Sequence, residues 1–224
     1  MIHATQITKR TGDYQLFSDV SFFLPAGSYT SLSGASGSGK TMLLDMIAGK
    51  RKPDSGSLIV NGVNMLEAAA DRLPFLRREI GLVGSSPALL ENRSVVDNVR
   101  MPLQIAGFNK RATRERAAQT LEELGLTVIA DLPLPRLNID QRWLVACAIA
   151  IVHHPKLVLF DQPAGVGDAV RKRIVDVALR LSGQGTTVLS VADTAEACHS
   201  MSTIELKQGR SFLHEHNKAI HQKL

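Results

Sequence analysis

Apolar residues fall in short runs along the first third of the chain. Residues 2–7, 20–24 and 29–33 alternate or continue in the β-branched and apolar types that predict strands, and the third run leads directly into a glycine- and serine-rich loop. Residues 40–48 have helical spacing. Residues 53–56 predict a turn, 57–60 a strand, and Ile80–Val83 a further short strand. From 94 to 153 the pattern is mostly helical, and residues 110–124 set apolar positions on one face against charges on the other. Leu157–Phe160 is wholly apolar and Thr187–Val191 nearly so. Each adjoins a helical stretch, at 169–181 and 194–199, and residues 201–213 predict a hairpin turning at Gly209. Fully apolar strands alternating with helices indicate a largely parallel sheet buried on both faces. The helix-rich middle reads as an insertion at about residues 84–152, and residues 214–224 as a polar tail.

Composition narrows this picture modestly. A chain of 224 residues with 44% apolar content suits one α/β domain or one domain carrying a small insertion, and a charged fraction of 21% argues against a disordered chain. The net charge of +5 suits nucleotide phosphates, nucleic acid or an anionic surface equally, and an unselective basic surface is the plainest reading. No recognition motif or aromatic cluster accompanies the charge, so no nucleic acid is expected. Cys147 and Cys198 lack metal-binding spacing. Cys147 lies in an apolar run and reads as core, and two unpaired thiols suit a reducing compartment. The N-terminus has no signal-like apolar core, and the longest apolar run, residues 143–152, is about half the length that crosses a bilayer. The expectation is a cytoplasmic chain that reaches a membrane only through a partner.

The glycine-rich loop, residues 34–41, reads GASGSGKT and matches G-x-x-x-x-G-K-[ST] in full, between a strand and a helix. Gly34, Gly37 and Gly39 allow consecutive amides, with those of Ala35, Ser36 and Ser38, to turn inward around phosphate oxygens, and the helix N-terminus adds favourable potential. Lys40 is placed to reach the β- and γ-phosphates, and the Thr41 hydroxyl to ligate magnesium. The second half of such a site is an acid at a strand end. Asp161, directly after Leu157–Phe160, supplies it at the carboxyl edge where open parallel sheets bind ligands. The motif thus calls for ATP and Mg²⁺.

Four segments carry a family resemblance: residues 34–41, Pro74-Phe75-Leu76-Arg77-Arg78, residues 89–107 (LLENRSVVDNVRMPLQIAG) and residues 157–168 (LVLFDQPAGVGD). Together they resemble ABC ATPases, most like the FtsE group and its relatives LolD and MacB, from Ile2 to about Leu213. The resemblance implies a P-loop α/β core with a small antiparallel section and an inserted helical subdomain, spanning residues 1–213. It implies a homodimer, or a heterodimer with another ABC ATPase. It also implies an FtsX-like or permease-like membrane partner docking at about residues 85–92, and a place on the inner face of the cell membrane. FtsE-like systems serve cell division.

Carried over residue by residue, the resemblance breaks at most positions that serve hydrolysis. The glutamate that polarises the attacking water is Gln162, which can position water but cannot take its proton. The signature LSGGQ becomes Leu137-Asn138-Ile139-Asp140-Gln141. There Asp140 would repel a triphosphate held by an opposite subunit, and it reads instead as a helix N-cap. The magnesium-sensing glutamine aligns with Ser85, the γ-phosphate histidine with Asp193, and the adenine-stacking aromatic with Thr11, near Tyr14. Asp168 keeps the family's inter-subunit aspartate, while Val166 and Gly167 replace its neighbours. The expected activity is ATP binding with weak or absent hydrolysis. An asymmetric pair with one active composite site and a non-hydrolytic scaffold both remain open. Arg77-Arg78 reads as a solvated helix face, His214, His216 and His221 as part of a solvated tail, and Trp143 as either interface or core.

Overall fold

A computed structural model describes residues 1–69, 71–84, 88–161, 166–191, 200 and 202–215. Among the described residues ten strands form one mixed sheet in the order β5-β4-β1-β2-β10-β9-β3-β8-β7-β6. Its parallel half holds β3 (Tyr29–Gly34), β6 (Ile80–Val83), β7 (Leu157–Phe160), β8 (Thr187–Val191) and β9 (Ser202–Lys207). Its antiparallel half holds β1 (Ile2–Thr11), β2 (Tyr14–Leu24), β4 (Ser55–Val60) and β5 (Val63–Asn64). The two halves meet through β10 (Arg210–Glu215), which pairs antiparallel with β9 and touches β2 at Arg210 and Asp19. The Gly209 carbonyl accepts from the Ser18 and Asp19 amides, and Ser211 Oγ donates to the Ser21 carbonyl at 2.8 Å. The sequence reading placed the hairpin turn correctly. It ended the fold two residues early, because His214 and Glu215 are paired in β10 and do not begin the tail.

The strand runs are continuous in the parallel half because both faces are covered. Along β7, Leu157 and Leu159 enter one core, with Phe17, Leu43 and Leu189. Val158 and Phe160 enter a second, with Trp143, Val99 and Leu121. That second core lies beneath the inserted helices α3 (Val95–Ile105), α4 (Lys110–Glu123) and α5 (Ile139–Ile151). Helices α1 (Lys40–Ile47), α2 (Leu73–Arg78) and α6 (Asp168–Gly183) are the other α-helices among the described residues, and the helical stretch expected at 194–199 lies outside them. Trp143 is 1% exposed and lies 6.2 Å from the Phe160 ring, so it is a core residue. Cys147 is buried as expected.

The three inserted helices are capped by the residues that precede them. Ser94, Asn109 and Asn138 accept from the amides of Asp97, Ala112 and Gln141 respectively. At α5 the Gln141 side chain also accepts from the Asn138 amide at 3.1 Å, which completes a capping box. This corrects the assignment of Asp140 as the cap: the helix starts two residues earlier, and the Asn138 carboxamide already holds the free amide. Behind the cap, the buried Asn98 binds both the amide and the carbonyl of Leu90, and Arg142 forks onto Glu91, fixing residues 90–91 against the helices. Among the described residues no helix is long and apolar enough to cross a membrane.

Candidate functional site

The phosphate loop lies between β3 and α1, and its glycines are forced by space as well as by dihedral angle. Gly34 has φ +143°, and a Cβ there would lie 2.6 Å from both the Leu206 carbonyl oxygen and Ser38 Oγ. Gly39 has φ +97°, and its Cβ would lie 2.5 Å from the Phe17 ring. Phe17 therefore forms the floor of the loop. The sequence reading missed this, since nothing local marks a β2 residue as lying under a turn twenty residues away. Lys40 Nζ donates to the carbonyls of Gly34 at 2.6 Å and Ala35 at 2.9 Å, which places the ammonium over the loop. Ser38 N donates to the Ala35 carbonyl at 3.1 Å.

The parallel register brings the second half of the site to the first. β7 lies one strand away from β3, with β8 between them, so both end at the same sheet edge. Asp161 is 6% exposed, and its amide donates to the Val83 carbonyl at 2.8 Å. Thr41 Oγ1 donates to Asp161 Oδ2 at 2.9 Å, although the two residues are 120 apart in sequence. A hydroxyl and a carboxylate side by side are hard oxygen donors suited to Mg²⁺. Together with the Lys40 ammonium and the glycine loop, they fit the nucleotide and metal that the motif calls for.

Gln162, Ser85 and Asp193 lie outside the described residues. Tyr14 is 68% exposed at the β1–β2 hairpin, where it pairs with Thr11. Ile139 is 55% exposed at the start of α5. Asp140 turns away from that surface: its Oδ1 accepts from the Gly167 amide at 3.0 Å, and a Cβ on Gly167 would lie 2.9 Å from its Oδ2. The carboxylate thus ties α5 to the segment that leads into α6, where Asp168 is fully exposed. Replacing Asp140 by alanine is expected to cost about 1 kcal/mol, the net value of one such bond, and to speed hydrogen exchange at the Gly167 amide. His214 is 3.3 Å from Glu205, and among the described residues no three His, Cys, Asp or Glu side chains gather as a metal site.

A groove of about 550 Å³ opens between the core and the inserted helices, lined by Ala48, Lys50, Arg77, Ile80, Leu82, Pro102 and His153 among others. His153 Nδ1 is buried without a hydrogen-bond partner. Burial, aided by the neighbouring His154 charge and partly opposed by the Ile149 carbonyl, holds the His153 pKa below the ordinary 6.5. A depressed imidazole pKa leaves the unfolded chain binding more protons, so its stabilising effect is complete above pH 6.5 and is lost as pH falls toward the folded value. Urea titrations are expected to show stability declining with acidification below that point, with a flatter slope for His153→Gln.

A phosphate loop and a buried strand-end acid, converging at the carboxyl edge of parallel strands beside a helical insertion, define a P-loop ATPase cassette. Sequence comparison agrees: the profile described as ABC transporter matches residues 17–165. The chain belongs to the ABC transporter family. It is 36% identical over 189 residues to the cell division ATP-binding protein FtsE of Haemophilus influenzae, covering 84% of each chain. It is 33% identical over 217 residues to the macrolide export ATP-binding/permease protein MacB of Burkholderia pseudomallei, covering 94% of this chain and 33% of MacB. Its span is 48% of the spermidine/putrescine import protein PotA of Chromobacterium violaceum. The dimeric ATP-binding cassette MJ0796, solved with ADP and Pi, superposes with a TM-score of 0.88 at 26% identity, covering 96% of this chain and 98% of that one. The expected ABC-type fold is thereby met.

Proposed function

We propose that this chain is the ATP-binding subunit of an FtsE-like membrane complex and that it holds MgATP while hydrolysing it very slowly or not at all. The observation that carries this reading is the 2.9 Å contact between Thr41 and Asp161 beside the Lys40 ammonium, an assembled binding half. Gly34, Ala35, Ser36, Gly37, Ser38, Gly39 and Lys40 would hold the phosphates, and Thr41 with Asp161 the magnesium. The bound ion would neutralise the charge of the triphosphate.

Turnover needs more than binding. Gln162 replaces the acid that takes the proton of water, and Asp193 replaces the γ-phosphate histidine. On the side that would face a second subunit's nucleotide, Ile139 presents a branched side chain where the family has glycine, and Asp140 is engaged with Gly167. These changes fall on both sides of a composite site. A pair with an intact ATPase would therefore contain one altered half in each of its two sites. This favours a nucleotide-gated scaffold over an asymmetric pair with one active site. A membrane partner of the FtsX or permease type is proposed to dock between the core and the inserted helices. The groove walled by Ile80 and Pro102 and the pinned residues 90–91 offer the two surfaces for it.

Calorimetry and phosphate release on the pure chain, alone and with a membrane partner, test this reading. Saturable MgATP binding with no turnover above background is the expected outcome. Turnover near one per second that disappears in Lys40→Ala would overturn the non-hydrolytic part. Activity appearing only with a second ATPase would restore the asymmetric pair.

A further inference from the structure

The fold gathers two basic segments that look unrelated in sequence. Arg77 Nη2 donates to the Gly49 carbonyl at 2.6 Å, which lays α2 against the turn after α1. The approach is close: a Cβ on Gly49, at φ +69°, would lie 3.0 Å from the Met65 methyl and 3.2 Å from Leu73. Lys52 Nζ donates to the carbonyls of Leu66 and Ala68, drawing the connecting segment onto the same corner. Lys50, Arg51, Lys52, Arg72, Arg77 and Arg78 are all exposed there. Asp45 pairs with Lys50 and Arg51, Glu67 and Asp71 lie on the connecting segment, and the carboxylates next to the two basic runs, Asp54 and Glu79, pair with Lys9 and Lys156. Arg72, Arg77 and Arg78 have no ion-pair partner among the described residues. In their midst Phe75 is 67% exposed, with the Arg78 guanidinium 5.5 Å from its ring centroid.

We propose that this corner binds the headgroup layer of an anionic phospholipid membrane, with Phe75 entering the interface. Clustered cations are drawn to an anionic leaflet, and guanidinium forks match headgroup phosphates. A solvated helix face would account for the charges. What favours the membrane is the combination: an exposed aromatic ring stacked by Arg78 and set among unpaired arginines suits a membrane–water boundary, where aromatic rings and cations are both favoured. Lys50 and Arg77 also line the groove beside Ile80, so a membrane-embedded partner docking there would hold this corner toward the bilayer. The proposal itself requires neither nucleotide nor partner.

Co-sedimentation of the full chain with vesicles tests it. Vesicles of phosphatidylcholine mixed with phosphatidylglycerol are expected to carry the protein down, and phosphatidylcholine alone is not. Added salt should weaken the binding. Arg72→Glu and Arg78→Glu should each lower partitioning by about fivefold or more. Phe75→Ser should weaken vesicle binding while leaving the salt dependence unchanged. Equal binding to neutral vesicles would overturn the proposal, as would binding unaffected by the three variants. So would attachment to a DNA duplex that needs the same arginines and ignores Phe75→Ser. All three side chains are exposed, and circular dichroism is the check that the variants fold. Loss of nucleotide binding would contradict the proposed ATP-binding function without touching this one.

Discussion

Lys40→Ala is expected to weaken MgATP binding by about 10- to 100-fold, the effect of removing one or two charge-assisted hydrogen bonds to a polyanion. The structure shows why so much rests on one side chain. The ammonium already sits over the loop, bound to the carbonyls of Gly34 and Ala35, and at Gly34 and Gly39 the backbone around it leaves no room for a Cβ. Arginine at this position is not conservative, because a planar fork cannot occupy the space of a compact ammonium between two carbonyls. Isothermal calorimetry at fixed magnesium is the measurement. Thr41→Ala is expected to behave differently. The loop still receives phosphate, but the hydroxyl beside Asp161 Oδ2 is gone, so affinity should lose much of its dependence on magnesium. Unchanged affinity in Lys40→Ala would mean that nucleotide, if bound, is held elsewhere.

The largest expected effect on stability lies one residue from the acid. Phe160 is fully buried on β7, and its ring meets Trp143 of α5 at a tilted angle, joining the sheet to the inserted helices. Phe160→Ala removes that contact and leaves a cavity between two elements with little freedom to close. The expected cost is about 3–5 kcal/mol. In a chain of this size that corresponds to a fall in melting temperature of roughly 6–20 °C. Urea unfolding gives the free energy directly, and MgATP affinity should fall with it, because Asp161 follows Phe160 on the same strand end. A loss below 1 kcal/mol would show that the inserted helices are not energetically joined to the sheet through this pair. Trp143→Phe should be far milder, since the indole Nε1 is buried without a hydrogen-bond partner and its removal relieves an unmet donor.

The two predictions concern features with unequal visibility in the sequence. Lys40 and Thr41 could be assigned from spacing alone, because a phosphate cradle needs consecutive turning amides followed by a cation and a hydroxyl, and that order is local. The fully apolar Leu157–Phe160 run likewise announced a strand buried on both faces, with an acid at its end. The part played by Phe160 against Trp143 was not legible, since Trp143 fits core or interface equally well until the helices are packed. Asp140 shows the same limit in reverse. As an isolated aspartate near a helix start it reads as a cap, yet the preceding Asn138 already fills that role. Only the approach of Gly167, 27 residues away, gives Asp140 its bond. Arg77 and Lys50 were likewise separate charges until the Gly49 carbonyl brought them to one corner.

By itself, the sequence determined the α/β class, the phosphate loop and the strand-end acid, because each is written in spacing along a single strand, turn or helix. Tertiary structure alone decided that Phe17 floors the loop and that Asp140 serves Gly167 and not a helix end. It also decided that two basic segments share a surface. Those contacts join residues far apart in the chain, and their distances are set by sheet order and packing, which no local pattern records.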